Sequence, residues 1–364
     1  MMENRGLLFI PDISGFTRFV NAMEIDHSRL VIQELLEVLI NANKIGLEIS
    51  EIEGDAILFY KFGESPEPKE LYKQVEEMFC EFHKHLISYD QCRYCQCPAC
   101  SSAIDLTLKV ITHYGEFTGY NVRNFNKLIG KDIIVAHQLL KNDIEQHEYW
   151  LVTKNLVDDP PHDLARWMQW NSSAKQTEIG EVPFFYTQLS ELKNQISPPP
   201  LPQSNLSEKL KMVSVSREYE TDIITLFHAS GDMGLRHRWQ EGVKAIEGID
   251  HVLPRVGMCC CCVTDHGKEK ICSCGYSFAT ERIEFTEMDE NKKTVTNFLL
   301  EKMSENKIRL TIDFYVPKEL IEVFEATEKI QTQSQLERSL INLDPLLKEI
   351  NITEDEHSRH ANHN

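Results

Sequence analysis

Two carboxylates in glycine-bearing settings are the residues best placed to do chemistry. Asp12 follows the apolar run Phe9-Ile10-Pro11 and precedes Ile13-Ser14-Gly15-Phe16-Thr17; Asp55 lies in Glu53-Gly54-Asp55-Ala56. Gly15 lets a ligand approach the backbone closely, and the residues from Thr17 can open a helix whose free N–H groups favour phosphate oxygens. Two aspartates beside such a cradle offer the oxygen ligands that magnesium or manganese takes. The plainer alternative is that Asp12 caps the next helix and Gly54-Asp55 is an ordinary hairpin turn.

Two cysteine clusters follow. Cys92-x-x-Cys95-x-Cys97-x-x-Cys100 gathers four thiols that match a tetrahedral structural zinc site, with an iron–sulfur cluster or plain thiols as alternatives. Cys259–Cys262 are consecutive, so in a strand they point alternately to opposite faces and cannot share one ion. A second thiolate site would need Cys272 and Cys274 from a neighbouring strand.

The elements that must position these groups alternate. A strand is expected at 6–13, an amphipathic helix at 26–44, and a hairpin pairing Leu47–Ile52 with Ala56–Phe62. A helix at 68–88 comes next, with Leu71, Val75, Met78, Phe79, Phe82 and Leu86 at helical spacing. The cysteine-rich insert at 91–101 leads to a strand at 104–113, a helix at 131–142, and strands at 149–153 and 182–189. This pattern predicts an α/β or α+β sandwich over 1–190. Residues 191–208 contain Pro198-Pro199-Pro200-Leu201-Pro202, a stiff linker. A second α+β domain over 209–349 reads as strand, short helices, several strands and a long helix, and 350–364 as a disordered tail.

Composition narrows the function. A net charge of −19 argues against a nucleic-acid surface and against docking on an anionic membrane. No apolar run reaches the length of a membrane span, and no secretory signal stands out. A cytoplasmic protein with its cysteines mainly reduced or metal-bound is expected.

Over residues 5–190 the chain resembles the class III nucleotidyl cyclase catalytic domain, a ferredoxin-like sandwich. Phe9–Thr17 resembles that family's opening motif, Glu51–Ala56 its Gly-Asp hairpin, His113-Tyr114-Gly115 its His-x-Gly strand end, and Gly130–Leu140 its helix entry. The resemblance implies magnesium or manganese on Asp12, Asp55 and the Ile13 carbonyl, and nucleotide contacts from Ser14, Gly15, Phe16, Thr17, Glu51 and Lys127. It also implies a homodimer, because such sites form between subunits. Several positions depart from the family. Ile134 replaces the transition-state Asn and Gln138 the Arg, and losing such an electrostatic group costs orders of magnitude in rate. The closing-strand Lys has no clear equivalent near Glu178–Val182, and Lys127 stands at the base-partner position. His113 and His137 are expected to serve packing or hydrogen bonding.

The second domain is similar in element order to the helix-grip fold of polyketide-cyclase and lipid-transfer proteins, which implies a cavity for a small hydrophobic ligand. Phe278, Phe285, Phe298 and Phe314 either line it or fill the core. The pairing of these domains resembles an uncharacterised bacterial family. The leading expectation is a signalling or sensor protein with a degenerate cyclase-like domain that binds nucleotide or metal. The alternatives are an active adenylate or guanylate cyclase (a phosphorus-oxygen lyase) and a zinc-stapled interaction module.

Overall fold

The computed structural model describes residues 4–21, 25–95, 98–123, 125–197, 206–249, 255–321 and 326–361. The chain is a mixed α+β protein of two compact units: residues 1–91 with 96–199, and residues 92–95 with 200–364.

The first unit runs β1 (Arg5–Ser14), α1 (Phe16–Asn21), α2 (Ile25–Asn41), β2 (Glu48–Glu53), β3 (Ala56–Phe62), α3 (Pro68–Cys92), α4 (Pro98–Ser102), β4 (Thr107–Glu116), β5 (Thr118–Val122), β6 (Phe125–Ile129), α5 (Lys131–Leu140), β7 (Tyr149–Thr153), β8 (Asn171–Thr177) and β9 (Gly180–Gln188). Seven strands form one sheet in the order β2-β3-β1-β4-β7-β9-β8, and β5 and β6 form a separate hairpin. Central β1 is antiparallel to both β3 and β4. It is buried from Gly6 to Ser14, which explains the apolar run Leu7–Pro11 before Asp12. Leu8 and Ile10 join Val135, Ala136 and Leu139 of α5 in one cluster. Leu7 and Phe9, one residue out of phase, face the other way. Helix α3 begins with Pro68 at its first position, and Leu71, Val75, Met78, Phe79, Phe82 and Leu86 form its buried stripe.

Three sequence expectations shift. The strand expected from 104 starts at Thr107, because Ala103–Asp105 form a 3₁₀ turn and leave Ile104 39% exposed. The β5–β6 hairpin fills the stretch between the strand expected at 104–113 and the helix expected at 131–142, for which no element was expected. Strand β8 is polar, sits at the sheet edge and is mostly exposed, so it shows no apolar alternation.

The second unit contains β10 (Lys209–Tyr219), α6 (Ile223–Gly231), α7 (Arg236–Trp239), β11 (Val243–Glu247), β12 (Cys259–Thr264), β13 (Gly267–Ala279), β14 (Arg282–Asp289), β15 (Val295–Ser304), β16 (Lys307–Pro317) and α8 (Ala326–Ala361). Its seven-stranded sheet has the order β10-β16-β15-β14-β13-β12-β11, antiparallel throughout. Helix α8 packs on β10, α6 and α7, and the Tyr219 hydroxyl donates to the Leu340 carbonyl at 2.6 Å. Asp222 caps α6 by accepting from the Ile224 and Thr225 N–H groups, both at 2.9 Å. Residues 92–95 are part of this core. Tyr94 is 4% exposed, stacks on Tyr276 at 4.5 Å, and its hydroxyl bonds to Ser273. The Cys92 carbonyl accepts from Val256 N–H at 2.8 Å.

A buried lock joins β4 to α5. His113 contacts Thr153 through Nδ1 at 2.8 Å and Asp132 through Nε2 at 3.0 Å, and the other Asp132 oxygen accepts the Glu116 N–H at 2.6 Å. Burial opposes the Asp132 charge, but these hydrogen bonds outweigh it and hold the carboxyl below its usual range. A Cβ on Gly115 would lie 2.2 Å from Asp132 Cγ, so the His-x-Gly pattern serves close packing. Gly115→Ala is therefore expected to lower stability by roughly 1–3 kcal/mol, the usual cost of overpacking. Urea midpoints would show it, and an unchanged midpoint would remove the lock.

Candidate functional site

The site is built on β1, the β2–β3 turn and β4. Gly54, at φ +62°, supplies the left-handed position that lets the hairpin close and sets Asp55 at its tip. The Asp55 carbonyl accepts the Ile13 N–H at 3.0 Å, which fastens the turn to the end of β1 beside Asp12. Asp12 stands opposite Ala56 on β3 and Lys109 on β4. Gly15, at φ +91°, then turns the chain into α1.

The two aspartates affect each other electrostatically. Burial raises the Asp55 carboxyl above its ordinary value, and the Asp12 charge raises it further. Burial raises Asp12 too, against a lowering pull from Lys109. Lys109 Nζ lies 3.2 Å from Asp12 Oδ1, with both side chains 13% exposed, and also donates to the Leu140 carbonyl at 3.3 Å. The Ser14 hydroxyl is buried without a hydrogen-bond partner among the described residues. Paired carboxylates with a spare hydroxyl are a donor set suited to a hard divalent cation, and Lys109 already offsets one negative charge. The residues expected to hold magnesium or manganese are thus compatible with it.

Sequence reasoning missed Lys109. The available signal was a lysine inside Leu108-Lys109-Val110-Ile111 of a central strand, where a buried cation needs a carboxylate partner.

The other expected residues fall into separate groups. Lys127 on β6 is ion-paired with Glu51 on β2, and His137 Nε2 on α5 lies 3.6 Å from Glu51. Glu51 and Lys127 therefore meet, joined by His137, a residue expected to serve packing or hydrogen bonding. Ile134 is 51% exposed on α5, and one turn on, the Gln138 side-chain oxygen is buried without a partner among the described residues. Phe16 is half-buried and Thr17 exposed, and α1 has six residues. A cavity of 440 Å³ in this unit lies elsewhere, lined by Asn142, Lys175 and Tyr186 among others.

The cysteines depart from expectation. Cys97 lies outside the described residues, so the expected four-thiol set is not complete among them. Cys92 and Cys100 are buried and Cys95 half-buried. Cys259 and Cys272 form a disulfide, which corrects the expectation of thiols there: the β12–β13 register sets them opposite each other, Cα atoms 4.1 Å apart. Glu290 brings a third ligand-type atom within 4.8 Å of those sulfurs. Cys260 and Cys262 lie on the other face with sulfurs 3.8 Å apart, while the β13–β14 register shifts at Cys274, two residues from Cys272.

Comparison with known proteins gives limited matches. A family described as "Protein of unknown function (DUF2652)" matches residues 32–149. An uncharacterised protein of Mycobacterium tuberculosis (Rv2561/Rv2562) is 28% identical over 129 residues, 33% of this chain and 56% of that protein. The chain thus spans about half the length of that relative. The catalytic core of a rhodopsin-guanylyl cyclase in complex with ATPalphaS aligns at TM-score 0.38 and 12% identity, covering 51% of this chain and 96% of its own. The adenylyl cyclase CyaB from P. aeruginosa aligns at TM-score 0.36 and 15% identity, covering 50% and 93%. Likeness at these levels extends to neither activity nor ligand. No helix among the described residues is long and apolar enough to cross a membrane.

The raised Asp55 carboxyl has a stability consequence in metal-free protein. A folded carboxyl that binds its proton more tightly than the unfolded chain stabilises the fold at acid pH. That contribution is lost as pH rises through the folded value. Asp55→Asn, which imitates the protonated form, should raise the melting temperature at pH 7, with the difference vanishing below about pH 4. An equal difference at both pH values would place the effect outside Asp55 ionisation.

Proposed function

We propose that the protein is a signalling or sensor protein. Its first unit, a degenerate class III cyclase-like domain, binds a nucleotide with a divalent cation and turns it over poorly or not at all. Its second unit is of helix-grip type and binds a small apolar ligand. The observation that carries the first half is the setting of the aspartates. Asp12 and Asp55 stand together at the end of β1, as a cation site needs, yet Lys109 already offsets part of their charge. A bound divalent cation would supply charge neutralisation for phosphate oxygens. Ser14 to Thr17 would orient those oxygens, and Glu51 with Lys127 would read the base.

Turnover would need donors toward the ribose and the transferring phosphate. Ile134 offers none, and Gln138 carries no charge. The strand order of the second unit supports the helix-grip reading: β10 pairs with the last strand, the rest form a meander, and a long helix closes it. The exposed Ile129 and Ile134 support a homodimer through the β6–α5 face of the first unit. Zinc on Cys92, Cys95, Cys97 and Cys100 rests on spacing alone. About one equivalent per chain should be found by mass spectrometry and lost in Cys95→Ser; an unchanged zinc content would remove that part.

Thermal unfolding with ATP or GTP and manganese, with product and sedimentation followed in the same samples, tests the nucleotide reading. Saturating nucleotide should raise the melting temperature of a dimer with no cyclic product, in line with ~2.7 kcal/mol at a hundredfold excess over Kd. Asp12→Ala should abolish the shift. Cyclic product abolished in the same variant would establish an enzyme instead. No shift with either nucleotide would leave the first unit as a scaffold.

A further inference from the structure

The second unit holds a cavity of 700 Å³, within the range that encloses small organic ligands. Phe298 of β15 and Ile312, Phe314 and Val316 of β16 contribute apolar wall from alternate positions of one sheet face. The four phenylalanines singled out in the sequence divide. Phe298 and Phe314 line the cavity, Phe285 is 1% exposed and stacks behind Phe298 at 4.5 Å, and Phe278 is 40% exposed.

The polar groups of this cavity are more informative than its walls. Arg236 and Trp239, three residues apart on α7, both line it and are each only 2% exposed. The two Arg236 Nη groups are spent on Glu287, one at 2.6 Å, in a buried bidentate ion pair. Arg236 Nε and Trp239 Nε1 have no hydrogen-bond partner among the described residues. A buried N–H without an acceptor is costly, and here two lie on the same helix. The charge around them is negative. Six carboxylates line the cavity against the three fixed cations Arg236, Lys292 and Arg338, and the buried ones are Glu287 and Asp289. Because Glu287 already neutralises Arg236, an incoming anion would meet repulsion rather than a free guanidinium.

We propose that this cavity binds a neutral, mainly apolar molecule bearing an acceptor oxygen, a ketone or ester carbonyl, that receives the N–H groups of Trp239 and Arg236. The cavity rejects carboxylates of the same shape. The proposal deepens, and rests on, the reading of the second unit as a ligand-binding domain.

The probe is prodan, a neutral aminonaphthalene with one ketone, titrated into the full chain by fluorescence. The comparison probe is the same ring system with a carboxylate in place of the ketone. Saturable binding of prodan is expected, at least about tenfold tighter than that of the carboxylate. Trp239→Phe keeps the ring and removes the donor, and should weaken prodan about tenfold, the scale of one buried hydrogen bond. Thr296→Phe, which builds a ring into the cavity from β15, should displace the probe. The carbonyl stretch of prodan bound to the unaltered protein should move to lower frequency, which keeps the test decisive if Trp239→Phe does not fold. Equal or tighter binding of the carboxylate would overturn the ligand class but leave a binding domain. An unshifted carbonyl, or unchanged affinity in folded Trp239→Phe, would overturn the anchor. Absence of saturable binding, or binding that persists in Thr296→Phe, would overturn the cavity as the site.

Discussion

The candidate site depends on charge balance at the end of β1. A buried strand normally excludes ionised groups, because leaving water costs far more than a single contact returns. Asp12 is tolerated in such a strand because the β1–β4 register sets Lys109 opposite it. Burial raises both carboxyls, the Asp12 charge raises Asp55 further, and Lys109 pulls both back. Lys109 thus opposes, without overcoming, the burial that raises Asp12 within the sheet. The Gly54-Asp55 turn is tied to β1 through Ile13, which holds the second carboxylate near Asp12 even though the Asp12 charge opposes it.

The second unit treats buried charge differently. Arg236 and Glu287 cancel each other completely, in a bidentate pair with almost no exposure. Such a pair contributes little net stability, since desolvation offsets most of the attraction. It does fix the rotation of α7 against β14, and with it the direction of the two spare N–H groups. The positions of cavity donors are therefore set by an ion pair that a ligand does not need to touch.

Much of this was legible in sequence where one residue type has one physical use. The continuous apolar run of β1, the helical stripe of α3 and the glycine of the β2–β3 turn all predicted their elements. The segments that escaped were those whose structure comes from partners far along the chain. Polar β8 is a strand because β9 pairs with it, not because of its own alternation. Lys109 is a site residue only once β4 lies beside β1. The register that joins Cys259 to Cys272, and the register shift at Cys274, are properties of strand pairing. Conversely, His113 and Gly115 were legible as a motif but not as a lock, since Asp132 arrives from a later helix.

Tyr94 has a further consequence for how the chain reaches its fold. Residues 92–95 contribute to the second core, while the chain on either side of them builds the first unit. The aromatic partners of Tyr94, among them Phe227, Tyr276 and Phe285, are synthesised well over a hundred residues later. During synthesis that tyrosine has no core to enter. A fragment starting at Leu206 would lack one of its own central side chains, and one ending before the linker would expose an apolar side chain with nowhere to go. The two units are distinct in space but interleaved in sequence, so no single cut yields both intact, and completion of the second core must wait for the far end of the chain.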